Sequence, residues 1–378
     1  MTQDRRNRGE RGFVLITMAI ASVAIILVLG LAVDIGRIFI TKNETQAYCD
    51  AAALAATLKL DGTTTGITKA QTAVAASTNS WNFSTVRIVA PAVTFATSVA
   101  GPWVSSPSPA TGYIFTRVIA TAPQQLYFMP IIVPQFTQNV ASAATAGQIA
   151  ITSFPRGLAP YTAVSTNTVG PSFGLTIGDS YDIQWPQFNA TRAGCAPATP
   201  DKCFNSPPCT GDSSASRTAV VTNWGASNSG YWGGNSNSII EQEILDVIQL
   251  QAVEIGTNIF PILTNGTKAS EAGYLDQRAS QDINTSDNTV AGYLGSPHNG
   301  RRLLAMPIVD PVDPAQTNVI GYGLFLLLAN GPGATNYYTH TTNGNDPFCA
   351  LYAGSYNIGS NSPGTAGTTG ASRVKLVQ

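Results

Sequence analysis

The sequence is poor in charge: Asp, Glu, Lys and Arg make up 11% of its 378 residues, where an ordinary soluble protein has about a quarter. The formal net charge is -1, and only six of the 20 basic residues are Lys. That balance offers a phosphate backbone no electrostatic footprint, so nucleic acid is excluded as a partner. Histidine is scarce, with two in the chain, and HExxH, phosphate-loop and CxxC patterns are absent, so no cofactor or metal site is read. Hydroxyls and amides stand in for charge: Ser, Thr and Asn number 95, beside 35 Gly and 23 Pro. This composition favours turn-rich β-structure and suits an extracytoplasmic surface. With 44% hydrophobic residues the chain buries a sizeable core, which excludes global disorder. Its length suggests two or three domains.

One long apolar run is present. Residues 13–33 (FVLITMAIASVAIILVLGLAV) carry no charge, and at about 1.5 Å per residue they span roughly 30 Å, the hydrocarbon core of a bilayer. Arg5, Arg6, Arg8 and Arg11 precede the run, and Arg37 and Lys42 are the first cations after it. The positive-inside rule then expects a single-pass inner-membrane protein with a cytoplasmic N-terminus and a periplasmic or extracellular bulk. A cleaved signal peptide is the competing reading, but its apolar region is normally about 7–15 residues. The run 319–329 (VIGYGLFLLLA) is too short to span and reads as a buried strand pairing with residues 302–309.

The helical pattern continues past the membrane. Residues 34–60 lack Pro, and Ile40, Ala47, Ala51, Leu54 and Leu58 recur at helical spacing as one apolar stripe. Asp34 and Arg37 sit three apart, as a local pair would, and Asp61-Gly62 supplies a stop. An amphipathic helix rising from an anchor is an assembly device, packing with similar helices or with a second copy of itself.

RGERGF, an apolar span, AVDIGR and QAYCDAAALAA together resemble the TadG-like family, membrane proteins associated with tight-adherence (Flp-type) pilus assembly. Asp34, Gly36 and Arg37 match its D-x-G-R-type motif, and Asp50 to Ala55 its A-D-A-A-A-L-A helix, with Cys49 where the family tends to have Ala. PQQLYFMPIIVPQFTQNVASAATAGQ also looks like a family segment. The resemblance implies a non-enzymatic, membrane-anchored assembly protein whose partners are pilus-assembly components. Arg11-Gly12-Phe13 resembles a prepilin-peptidase site, with possible cleavage between Gly12 and Phe13. Prepilins carry Glu five residues after the cut, and here that position is Thr17. A pseudopilin-like subunit is therefore the alternative.

The expected fold is α+β: a basic segment 1–12, a transmembrane helix 13–33, a stalk helix 34–60, an α/β module 61–151 and a β-rich, Cys-containing exported region 152–378. Within it, 67–77 reads as a second helix, and 86–97, 113–120, 126–133, 140–151 and 374–377 as strands. FGLTIGDSYDIQWPQF reads as a strand pair, 238–256 as one further amphipathic helix, and 354–370 as a low-complexity tail. Outside the cytoplasm thiols tend to pair, so Cys195, Cys203, Cys209 and Cys349 are disulfide candidates of open connectivity. Cys49 is either buried or cross-links two stalks.

Catalytic patterns are weak. GPSFG around Ser172 fits G-x-S-x-G but is followed by strand and turn rather than the helix a nucleophile elbow needs. DSSAS at Asp212 fits a metal-adhesion pattern but follows NSPPCTG, which is no strand. Trp224, Tyr231 and Trp232 form an aromatic loop that would suit an adhesin.

Overall fold

The structure is a computed structural model, and it describes residues 6–77, 80–81, 86–165, 167–182, 237–246, 252–257, 271–309, 318–327, 349–358, 363–364 and 369–377. Helix α1 (Arg6–Thr57) is unbroken over 52 residues, as expected of an Ala-rich segment with no proline before Pro91. It closes by tightening: Lys59 N–H bonds to Ala56 O and Leu60 N–H to Thr57 O. Gly62 then takes φ 80°, a conformation that favours glycine. Helix α2 (Thr64–Ala76) follows, its first turn capped by Thr63, whose hydroxyl accepts the Gly66 N–H at 3.0 Å.

The main strands are β1 (Val89–Ala96), β2 (Phe115–Gln125), β3 (Thr137–Ala150), β4 (Ala163–Val164), β5 (Leu303–Val309), β6 (Val319–Leu327), β7 (Cys349–Ile358) and β8 (Ala371–Val377). Short helices α3 (Asn237–Asp246), α4 (Glu271–Ser280) and α5 (Val290–Gly295) lie between β4 and β5 in sequence. The strands form one sheet in the order β1-β2-β3-β8-β7-β6-β5-β4, with Ser180–Asp182 and Pro363–Gly364 also paired to β7. Strands β2 and β3 are a long antiparallel hairpin in unbroken register, from Phe115↔Gly147 to Gln125↔Thr137. Strand β8 runs antiparallel to β3 and parallel to β7. The β5–β6 pairing expected from the two apolar runs is present and antiparallel.

Two cores result. In the first, Tyr48, Cys49, Ala52, Ala53 and Ala56 of α1 and Ile67, Ala70 and Val74 of α2 pack on Phe95, Val118, Ala120, Ala122, Ala144 and Ala146 of the sheet. Alanine faces alanine there, so the helix lies close against the strands. The second core gathers β5, β6 and β7 with Ile244 of α3, Leu275 of α4 and Tyr293 of α5. The chain is thus α+β: a long apolar N-terminal helix, then mostly sheet with a few short helices.

Several local expectations are corrected. Residues 126–133 are not a strand but a turn with a single 3-10 turn at Met129–Ile131, because Pro130 cannot donate to a ladder and the neighbouring N–H groups bond elsewhere. Helix α3 is described over Asn237–Asp246, and Val253–Glu254 is extended, pairing with Ser153–Phe154, so the helix expected through 256 does not reach that far. Phe173 (φ 53°) and Gly174 (φ 77°) make a turn at the start of the expected strand pair; among the described residues of that segment Ser180–Asp182 is strand, and 183–188 lie outside them. Strand β7 runs into the region read as a low-complexity tail.

Candidate functional site: the junction of helix and hairpin

Helix α1 and the β2–β3 hairpin run side by side, and polar side chains set their alignment. Lys42 Nζ donates to Ala141 O at 2.6 Å and Gln46 Nε2 to Ala143 O at 3.1 Å. At the far end Gln148 Nε2 donates to Thr57 O (2.9 Å) and Leu60 O (2.7 Å), satisfying carbonyls that a helix C-terminus leaves open. Strand β3 therefore ascends with α1. The hairpin tip, residues 126–136, lies beside the middle of α1, where the apolar run ends, and the 97–114 connection lies toward the C-terminal end of the helix.

Asp34, fully buried, fastens that tip. Its carboxylate accepts the backbone N–H groups of Tyr127 (3.0 and 3.2 Å), Phe128 (2.7 Å) and Met129 (2.6 Å). Burial alone would raise its pKa, but these bonds, with the Arg37 charge nearby, hold the carboxyl below its ordinary value. The Arg37 guanidinium lies over the Tyr127 ring, 4.7 Å from its centre. One turn earlier Gly30 gives Phe128 its space: a Cβ there would lie 2.5 Å from the ring. Thr41 donates to Gln124 just above.

The other residues read from the sequence fall into two groups. Gly36, Ala47 and Ala51 are exposed, and Asp50, Leu54 and Leu58 are half-buried, with Asp50 accepting from Gln46 Nε2 at 2.8 Å. The stripe is therefore mostly turned away from the sheet, with Leu54 packed at the edge of the first core, and the face that meets the sheet carries Asp34, Thr41, Thr45, Tyr48, Cys49, Ala52 and Ala56. Cys49 is free and wholly buried, its Sγ 3.4 Å from Ser142 O. Burial pushes the thiol up to about 11 and keeps it from the surface that a second stalk would have to meet. Gly12 and Phe13 lie within α1, where Thr17 donates its hydroxyl to Phe13 O and Val14 O. Cys349 opens β7 opposite Asp182. Cys195, Cys203, Cys209, Asp212 and the aromatic loop with Trp224, Tyr231 and Trp232 lie outside the described residues. Ser172 sits in a turn, its carbonyl accepting the Leu175 N–H at 2.9 Å. Gly30 and the Tyr127–Met129 backbone were missed by sequence reasoning. The signal that marks the Tyr127–Met129 segment is the complete lack of charge across residues 118–155.

The class defined by this architecture is a sheet protein built onto the far half of a helix whose near half, by length and composition, is apolar enough to cross a membrane. Residues 12–76 match the family model described as Putative Flp pilus-assembly TadE/G-like, so the matched stretch takes in the apolar run, Asp34, the Ala-rich segment and α2. No curated protein and no solved structure matches the chain.

Proposed function

We propose that this chain is a membrane-anchored assembly component of a tight-adherence (Flp-type) pilus or related envelope system, acting by packing rather than by catalysis. The observation that carries the reading is the family match over residues 12–76, which covers both the apolar half of α1 and the half that builds the first core. The Arg-rich start favours a cytoplasmic N-terminus and an exported sheet domain. Gly36, Ile40, Ala47 and Ala51 share one exposed face of α1, continuous with the apolar run. Small residues on such a face let a neighbouring helix approach closely, whether from a partner or from a second copy.

The test is Ala51→Glu in the full chain, followed by co-purification of membrane partners. Ala51 is exposed, so the fold should survive, and loss of partners with an unchanged melting profile is the expected result. Unchanged co-purification would remove this face from the mechanism. Mass spectrometry of the membrane-extracted chain is expected to find the Arg-rich start intact; a start at Phe13 would favour the pseudopilin-like alternative.

A further inference from the structure

We infer that the tip of the β2–β3 hairpin is itself a membrane-binding element, inserted into the same bilayer leaflet that α1 leaves at residues 30–33, so that the sheet domain is held down on the lipid surface at two points. The inference rests on the reading of α1 as a membrane anchor and goes beyond it. Its first support is position. Gly30 lies three residues inside the apolar run, about 4.5 Å below its end, and Phe128 packs directly on it. Asp34, the first residue outside, grips Tyr127, Phe128 and Met129. The tip therefore sits at the depth of the lipid interface, beside the helix.

Its second support is surface chemistry. Ile131 is 67% exposed, Ile132 60%, Val133 48% and Phe136 67%, four large apolar side chains clustered on one loop. No charge occurs anywhere from 118 to 155. A soluble protein rarely leaves such a patch to water. Tyr127, half exposed under the Arg37 guanidinium, has the amphipathic character of residues that gather at headgroup level. Gln135 donates to Thr137 O and Gln138 Oε1, placing a polar collar above the apolar tip.

The third support is the backbone. In hydrocarbon every unpaired N–H is costly, and here none is left from 126 to 135. Leu126 N–H bonds to Phe136 O, Ile131 to Phe128 O, Ile132 and Val133 to Met129 O, and Gln135 to Val133 O. Asp34 takes those of Tyr127, Phe128 and Met129, and Pro130 and Pro134 have none. An ordinary water-facing loop has no need of such completeness.

The experiment uses the full chain in nanodiscs of phosphatidylethanolamine and phosphatidylglycerol. The photo-reactive residue benzoylphenylalanine replaces one residue at a time: Ile132 or Phe136 at the tip, Ile26 within the apolar run, or Val99, which is exposed at the opposite end of the sheet. Phospholipid adducts are read by mass spectrometry. Adducts at Ile26, Ile132 and Phe136 with none at Val99 are expected, as is loss of the Phe136 adduct in Ile132→Asp. An adduct at Ile26 without one at either tip position overturns the inference and leaves the anchor standing. Adducts to protein instead of lipid at the tip overturn it in favour of a second copy or a partner. Absence at Ile26 removes the anchor and this inference with it.

Discussion

Two buried carboxylates do the same task, one at the hairpin tip and one beside the second core. Asp34 gathers three consecutive N–H groups of the hairpin tip. Asp282 accepts the N–H groups of Asn284 (2.9 Å), Arg302 (3.0 Å) and Asn299 (3.4 Å) and the hydroxyl of Tyr293. Burial would raise the pKa of Asp282, but these bonds hold it below the ordinary value. The Arg302 guanidinium, fully buried beside it, bonds Leu327 O, Asn284 O and Asp287 O at 2.6–2.8 Å. For Asp34→Asn, which swaps one acceptor oxygen for an amide facing the same donors, the expected loss is about 2–3 kcal/mol. Limited proteolysis between residues 127 and 136 should report it first, as faster cleavage. Because the folded pKa of Asp34 is lowered, its contribution is present above the ordinary carboxylate value of 3.8 and disappears as pH falls through the lower folded one. Glu243 gives the opposite slope. It is buried with neither oxygen bonded among the described residues, and burial pushes its carboxyl from 4.5 up to about 8. The folded state then holds the proton more tightly than the unfolded chain, so stability falls as pH rises between those two values. Glu243→Gln should melt higher than the wild type at pH 8 and nearly level with it at pH 5. Parallel melting curves across that range would mean that the carboxyl titrates normally.

At the scale of elements, the contrast between two adjacent alanines tests how α1 is used. Ala52 is fully buried against the sheet, and a larger side chain there forces helix and strands apart, at about 1–3 kcal/mol. Ala51 points away, where substitutions usually stay within about 0.5 kcal/mol. Thermal melting of Ala52→Leu and Ala51→Leu should therefore separate clearly; equal melting would mean that the helix does not seat on the sheet as described. Sequence periodicity could find α1, α2 and the β5–β6 hairpin because each announces itself locally, by absence of proline, an Ala-rich run after a Thr/Gly turn, or two apolar runs around a turn. It could find Asp34 as a motif residue, but not its role, since its partners lie 93 to 95 positions away. The apolar stripe was legible and the face that seats on the sheet was not: Ile40 and Ala47 are exposed, and the sheet takes the face carrying Thr41, Thr45 and Tyr48. Those polar residues bond to neighbours, with Thr45 donating to Thr41 O at 2.7 Å and Tyr48 to Val74 O at 3.2 Å. A hydropathy pattern has no way to register such satisfaction. Residues 126–133 misled for the same reason, being apolar enough for a strand while Asp34 takes the N–H groups of Tyr127, Phe128 and Met129 and carbonyls of the turn take those of Ile131, Ile132 and Val133.

For the whole molecule, β8 is where the two cores meet. Ala371, at its start, belongs to the second core, and Val374, three residues on, packs against the first. The strand pairs with β3 over Ser372↔Ala150 to Val377↔Thr145 and with β7 over Tyr356↔Ala371 to Ile358↔Arg373. Seven residues late in the sequence thus connect the half built on α1 to the half built on β5–β7. Ser372 pairs on both sides, so Ser372→Pro removes an N–H from the middle of the sheet and forces a fixed φ on a central strand, at about 3 kcal/mol or more. Hydrogen exchange read by mass spectrometry should then show amide protection falling in β3 and in β7 together, far beyond the site of substitution. If protection were lost only within 371–377, the strand would be an addition to a sheet that stands without it, and the two cores would be joined through the 151–162 connection instead.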